Sequence, residues 1–185
     1  MVEIEIDSIK STYEMRGDKA VLMCPPHPLM GGSRFDIRLE RISDELTKKN
    51  VSTLRFDYRT PYRNGIGEIT DAEICLNFLK DRHNTVIVLG YSFGSVVASN
   101  IAKNCDAAIY ISPLKKIDSI VFKDCSIPKL FIIAKRDQIV SIEESYELYE
   151  KSSEPKDIVE IDTDHFYFGK FDVLTKVVID FVSSI

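Results

Sequence analysis

Gly90-Tyr91-Ser92-Phe93-Gly94 decides the fold of this chain, through what stands on either side of it. Upstream, Thr85-Val86-Ile87-Val88-Leu89 is a short, β-branched apolar run of the kind that forms a strand buried on both faces. Downstream, Ser95-Val96-Val97-Ala98-Ser99-Asn100-Ile101-Ala102-Lys103 carries small and apolar residues at helical spacing. A serine between two glycines at a strand-to-helix turn has the geometry of a nucleophile elbow. The turn is sharp enough to strain the serine backbone, and glycine two residues to each side keeps Cβ atoms out of the bend. The hydroxyl then projects from the strand's carboxyl end. The five-residue pattern alone is weak; the flanking strand and helix give it force.

Outward from this stretch, strands and helices alternate. Val2–Ile6 alternates in polarity and is expected to pair with a strand over residues 12–16, through a turn at Ser8-Ile9-Lys10. Lys19–Cys24 is apolar on both faces and therefore central. A helix is expected over 37–49, with Ile37, Leu39, Ile42 and Leu46 on one face and Asp36 as its cap. A strand over 51–58 and a helix over 68–80 precede the elbow. After it come strands Ala107–Ile111 and Lys129–Ala134, helix Ile142–Lys151, a strand over 158–161 and a closing amphipathic helix over 171–182. This order implies an α/β fold: a three-layer α/β/α sandwich around a mostly parallel, doubly wound sheet, with residues 1–185 forming one domain. Ligands in such sheets sit beyond the carboxyl ends of the strands.

Composition narrows the function. The 185 residues carry a formal net charge of -5, which argues against nucleic acid or an anionic membrane as partner. No stretch reaches the roughly 18 to 20 apolar residues of a membrane span, and the acidic amino terminus is unlike a signal peptide. Cys24, Cys75, Cys105 and Cys125 form no CxxC pair, so inert thiols in a cytoplasmic protein are expected. No phosphate loop, metal cluster or dinucleotide fingerprint is present, so neither cofactor nor metal is expected. Oligomeric state is left open.

A nucleophilic serine needs a base, an orienting acid and an oxyanion hole. His165 is the one histidine after Ser92, just past a strand, which brings it to the same sheet edge. Asp137, three residues beyond the buried strand Lys129–Ala134, arrives there too and is the expected acid. The rivals are Asp118, in the preceding loop, and Asp164, which adjoins His165 and is badly placed to orient it. Phe93, the residue after the serine, should supply one oxyanion N–H. The other should come from the loop Pro25-Pro26-His27-Pro28-Leu29-Met30-Gly31-Gly32-Ser33, where proline cannot donate and Leu29 is favoured, with Met30 behind it. His27 is expected to brace this loop, and His83 to lie on the surface.

With those residues placed, the chain resembles the α/β-hydrolase superfamily, in particular its small, cap-less prokaryotic serine hydrolases. His27-Pro28-Leu29-Met30-Gly31-Gly32, Leu54-Arg55-Phe56-Asp57-Tyr58-Arg59, the elbow, Ser112-Pro113 and the Asp137 and His165 segments carry the resemblance, in order and over almost the whole length. It implies cleavage of carboxylic esters through an acyl-serine intermediate. One departure is the compact, aromatic stretch Thr60-Pro61-Tyr62-Arg63-Asn64-Gly65-Ile66-Gly67, where relatives carry a longer glycine-rich loop. Residues 112–128, where larger relatives insert a cap, have room for one short helix over 114–121, so an open cleft is expected. Its walls would be Leu29, Tyr62, Phe93, Leu114, Ile139, Phe166 and Tyr167, which suits small acyl or aryl esters. Thioesters, short amides and a non-catalytic binding role remain open alternatives.

Overall fold

A central eight-stranded sheet organises the computed structural model, which describes all residues from Met1 to Ile185. In chain order the elements are β1 (Val2–Ile6), β2 (Ile9–Glu14), β3 (Lys19–Cys24), α1 (Ile37–Lys48), β4 (Ser52–Phe56) and α2 (Ile66–Lys80). Then follow β5 (Thr85–Tyr91), α3 (Phe93–Ile101), β6 (Ala107–Ile111), β7 (Lys116–Ile117), β8 (Ile120–Val121) and β9 (Lys129–Ala134). The chain closes with α4 (Ile142–Lys151), β10 (Lys156–Ile161) and α5 (Phe171–Ser184). The sheet runs β1-β2-β4-β3-β5-β6-β9-β10. Only the β1–β2 and β2–β4 pairs are antiparallel; every other pairing is parallel.

The alternation of side chains along the central strands creates two cores. On β3 and β5, Ala20, Leu22, Cys24, Val86 and Val88 face α2 and α3. Val21, Met23, Ile87, Leu89 and Tyr91 face α1 and α5. Each helix answers with a stripe at helical spacing. Leu39, Ile42 and Leu46 on α1, and Leu174, Val178 and Val182 on α5, are buried in the second core. A fully buried side chain of this size contributes about 1.5–3 kcal/mol, so each stripe supplies several. Asp36 starts α1 as expected, accepting from the N–H groups of Arg38 (3.0 Å) and Leu39 (3.4 Å).

Three expectations fail here. The turn after β1 is Asp7-Ser8 rather than Ser8-Ile9-Lys10, so Ile9 and Lys10 already pair with Ile6 and Glu5 and β2 spans Ile9–Glu14 instead of residues 12–16. Residues 114–121 do not form a helix: β7 and β8 make an antiparallel hairpin pairing Lys116 with Val121 and Ile117 with Ile120. Two isoleucines three apart suit one helix face or a cross-strand pair equally well. Asp118, at φ 47° in the left-handed region, turns the chain and selects the hairpin. His83 is buried rather than on the surface, because the amino-terminal hairpin covers it. Its Nε2 lies 2.7 Å from the Tyr13 hydroxyl and its Nδ1 3.1 Å from the Gly17 carbonyl. Burial holds its pKa below the ordinary 6.5.

Candidate active site

At the carboxyl end of β5 the chain reverses through Ser92, which has φ 54° and ψ -122° and stands half-exposed before α3. Such a conformation costs a non-glycine residue about 1–3 kcal/mol. The neighbours leave no room to relax it. A Cβ on Gly90 would lie 2.1 Å from the Gly94 carbonyl oxygen, and one on Gly94 would lie 2.1 Å from that of Cys24. Main-chain bonds fix the bend: Ser92 N–H donates to the Ile111 carbonyl (2.9 Å), and Ser95 N–H donates to the Ser92 carbonyl (2.8 Å). Phe93 occupies the first helical position, where an N–H has no intrahelical acceptor and the helix dipole is positive.

His165 and Asp137 meet from the loops after β10 and β9. His165 Nδ1 lies 2.7 Å from Asp137 Oδ2, and the two side chains are 5% and 3% exposed. A carboxylate can only accept, so Nδ1 carries the proton and Nε2 keeps its lone pair. Asp137 Oδ1 accepts from the Ile139 (2.9 Å) and Val140 (2.8 Å) N–H groups. Burial alone would raise the Asp137 pKa; the bonds from His165, Val140 and Ile139 outweigh it and hold the carboxyl below its ordinary value. The His165 loop is tied down from two sides. The Tyr91 hydroxyl donates to the His165 carbonyl (2.8 Å). Arg38, lying 4.5 Å over the Tyr91 ring and paired with Asp36, donates to the Phe166 carbonyl (3.3 Å).

Ser92 and His165 open onto one pocket of about 220 Å³, which is also bordered by Pro26, His27, Met30, Gly31, Gly32, Asp36, Arg38, Tyr91, Ile139 and Phe166. A larger groove of about 740 Å³ lies elsewhere, between α1 and α5. Its walls are mostly Glu, Asp, Lys and Arg side chains with no serine or histidine among them, so the chemistry belongs to the smaller pocket.

No known protein-family profile matches the chain. An uncharacterized protein of Rickettsia prowazekii is 25% identical over 186 residues, covering 89% of this chain and 78% of the relative. Three solved structures align with almost the whole chain. An α/β serine hydrolase homologue from Coxiella burnetii is 19% identical, with TM-score 0.82, covering 97% of this chain and 95% of its own. A serine hydrolase without lid from Xanthomonas campestris is 19% identical, with TM-score 0.83 and coverage of 95% and 88%. An esterase from Pyrococcus furiosus is 20% identical, with TM-score 0.82 and coverage of 99% and 91%. This chain has the α/β-hydrolase fold, without a lid.

Within the α/β-hydrolase fold, several expected site residues fall elsewhere. Leu29 is 72% exposed and does not border the serine pocket. Its N–H is taken by His27 Nδ1 at 3.2 Å, because His27 caps the 3₁₀ turn Pro28–Met30. Met30 and Gly32 N–H groups donate to the His27 carbonyl, and Gly31 N–H donates to that of Pro28. Pro25, Pro26 and Pro28 have no N–H, so the His27 amide is the one between residues 25 and 32 without an acceptor in the protein. Tyr167 is wholly buried beneath the site, its hydroxyl 3.1 Å from Ser112 Oγ and 3.4 Å from the Ile132 carbonyl. Tyr62 and Leu114 are half-buried against the core around α3, Tyr62 behind the His27 ring at 4.9 Å. Ile139 and Phe166 do border the pocket. The rival acids are occupied: Asp164 accepts from the Phe168 N–H (3.3 Å), and Asp118 is held by Tyr62 and His27. Asp36, Arg38 and Tyr91 also border the pocket although the sequence reading did not name them as pocket residues; Asp36 and Arg38, at the start of α1, lie 56 and 54 positions before Ser92, a gap only the tertiary fold closes, whereas Tyr91 stands in the elbow itself.

Proposed function

We propose that the protein is a serine hydrolase that cleaves small carboxylic esters. The observation that carries this reading is the buried 2.7 Å Asp137–His165 hydrogen bond opening on the pocket of the strained Ser92. With its Nδ1 proton fixed by Asp137, His165 Nε2 takes the Ser92 proton as Oγ attacks the ester carbonyl. The negative charge then developing on the carbonyl oxygen is met by main-chain N–H groups and by the positive end of α3. Phe93 supplies one donor. The free His27 amide replaces Leu29 as the second, since an N–H committed to an imidazole is not available to an oxyanion. His165 returns its proton to the leaving alcohol, and water cleaves the acyl-serine by the same route.

Pocket size supports the substrate class. About 220 Å³ lies below the roughly 300–1,000 Å³ that encloses a drug-sized ligand, so it suits a short acyl group. The exposed Met30, Ile139 and Phe166 at its lips suit an apolar or aryl alcohol left partly in solvent. Four free thiols, three of them buried, support a reducing, cytoplasmic setting. The test has two parts. A fluorophosphonate should label Ser92 in folded protein, and no labelling beside a labelled control esterase would end the hydrolase reading. Short p-nitrophenyl esters should then turn over faster than the matching thioesters and aminoacyl amides; faster amides would overturn the ester assignment.

A further inference from the structure

We propose that Asp118 is a positioning residue for the oxyanion site, acting through the His27 imidazole. The proposal rests on the hydrolase reading above and deepens it. Asp118 sits at the tip of the β7–β8 hairpin, 91 positions from His27 in sequence. Its carboxylate accepts from the Tyr62 hydroxyl and from His27 Nε2 at 3.4 Å. The first of these bonds, with the second in support, keeps its pKa below the ordinary carboxylate value.

Because a carboxylate only accepts, Asp118 assigns the His27 proton to Nε2 and leaves a lone pair on Nδ1. That lone pair takes the Leu29 N–H at 3.2 Å. Two aromatic rings pack against the imidazole as well, Phe93 at 4.8 Å and Tyr62 at 4.9 Å between centroids, both tilted to it and themselves 6.1 Å apart. Two hydrogen bonds at its edge and two aromatic rings therefore fix the imidazole. Its own main-chain N–H has no acceptor to hold it, and the loop it stands in is rich in proline. His27 borders the Ser92 pocket, and the position of its N–H there must come from the His27 carbonyl, which accepts from Met30 and Gly32, and from the anchored side chain. Phe93, which carries the other donor, packs on the same ring. Asp118 thus does for His27 what Asp137 does for His165: it selects one tautomer and one orientation.

A merely structural role would only pin the hairpin, so the test must read the oxyanion itself. A thionoester develops charge on sulfur, a poor hydrogen-bond acceptor, and gains little from the two N–H donors. Removing one oxyanion donor outright costs about 10²–10³ in kcat; displacing it in Asp118→Ala should cost about tenfold in kcat for p-nitrophenyl acetate, with KM changed less than about twofold. The preference for the ester over its thionoester should fall by a similar factor. Asp118→Asn, which keeps an acceptor oxygen, should restore most of both. Unchanged kcat in Asp118→Ala, or an equal loss on ester and thionoester, would overturn the proposal. A second readout needs no turnover. The ¹⁵N signals of His27 should report the Nε2–H tautomer in the parent, and the Nε2–H proton should shift in Asp118→Ala as its carboxylate acceptor is lost while Leu29 still bonds Nδ1; a protonated Nδ1 in the parent, or an Nε2–H proton unmoved in Asp118→Ala, would also overturn it. Failure of fluorophosphonate labelling would sink the hydrolase reading alone, since the tautomer measurement still decides whether Asp118 governs His27.

Discussion

Asp137→Asn changes one atom and should disable the site through a proton. In the protein Oδ1 accepts two main-chain N–H groups and Oδ2 accepts the His165 Nδ1 proton. An asparagine must place its single oxygen on the two backbone donors, because each buried donor left unpaired costs about 1–3 kcal/mol. Its NH₂ group then faces His165 and can only donate. His165 Nδ1 becomes an acceptor and the ring proton moves to Nε2, where it blocks uptake of the Ser92 proton. Neutralising the orienting carboxylate in this way lowers kcat by about 10⁴-fold, or about 5.4 kcal/mol of transition-state stabilisation. KM should hold, since no group touching bound ester has moved. Initial rates with p-nitrophenyl acetate, together with thermal melting to show an intact fold, measure the effect. A folded Asp137→Asn protein whose kcat stays within about tenfold of the parent would refute the tautomer argument and with it the role of Asp137.

Three further outcomes follow from the same geometry. Ser92→Gly should abolish turnover yet raise stability by about 1 kcal/mol, because glycine tolerates φ 54° whereas Ser92→Ala keeps the strained Cβ. Thermal melts of the two variants decide it, and equal midpoints would show that no strain is stored there. Gly94→Ala should destabilise the protein by about 3 kcal/mol or more, since its Cβ would meet two main-chain oxygens, Cys24 at 2.1 Å and Pro25 at 2.6 Å. Urea unfolding measures this, and a loss under about 1 kcal/mol would mean the elbow can shift. Acid should weaken the parent through Asp137, whose carboxyl is held below its ordinary 3.8. As pH falls the unfolded chain takes up that proton first, so the group's stabilisation is complete above the ordinary value, declines from there, and is gone only once pH has fallen through the lowered folded-state value. Unfolding midpoints of parent and Asp137→Asn should therefore begin to converge as pH falls below about 4; parallel curves would show that the carboxyl is not stabilised in the folded state.

Local patterning made most of this protein legible. The apolar runs Lys19–Cys24, Ala107–Ile111 and Lys129–Ala134 became strands with the bounds expected of them, and Asp36 capped α1, because burial on both faces and a free helix end are written in adjacent residues. The elbow was readable for the same reason: glycine, serine and glycine act on one bend. The meeting of Asp137 with His165 followed from chain order, since parallel strands deliver their carboxyl ends to one edge.

What the residues alone left undecided depends on distant partners. Ile117 and Ile120 fit a helix face or a hairpin, and the left-handed turn at Asp118 together with packing against α3 chose the hairpin. The burial of His83 required β2 to bring Tyr13 to it, and the burial of Tyr167 required Ser112 and Ile132 from β6 and β9 and their loops. Leu29 looked like an oxyanion donor because proline was the only local exclusion. Its N–H proved to be engaged by an imidazole whose tautomer is set by Asp118, ninety-one positions along the chain. Hydrogen-bond donors near a sheet edge can be enumerated from sequence, but which of them stays free is settled only when every other group has found its partner.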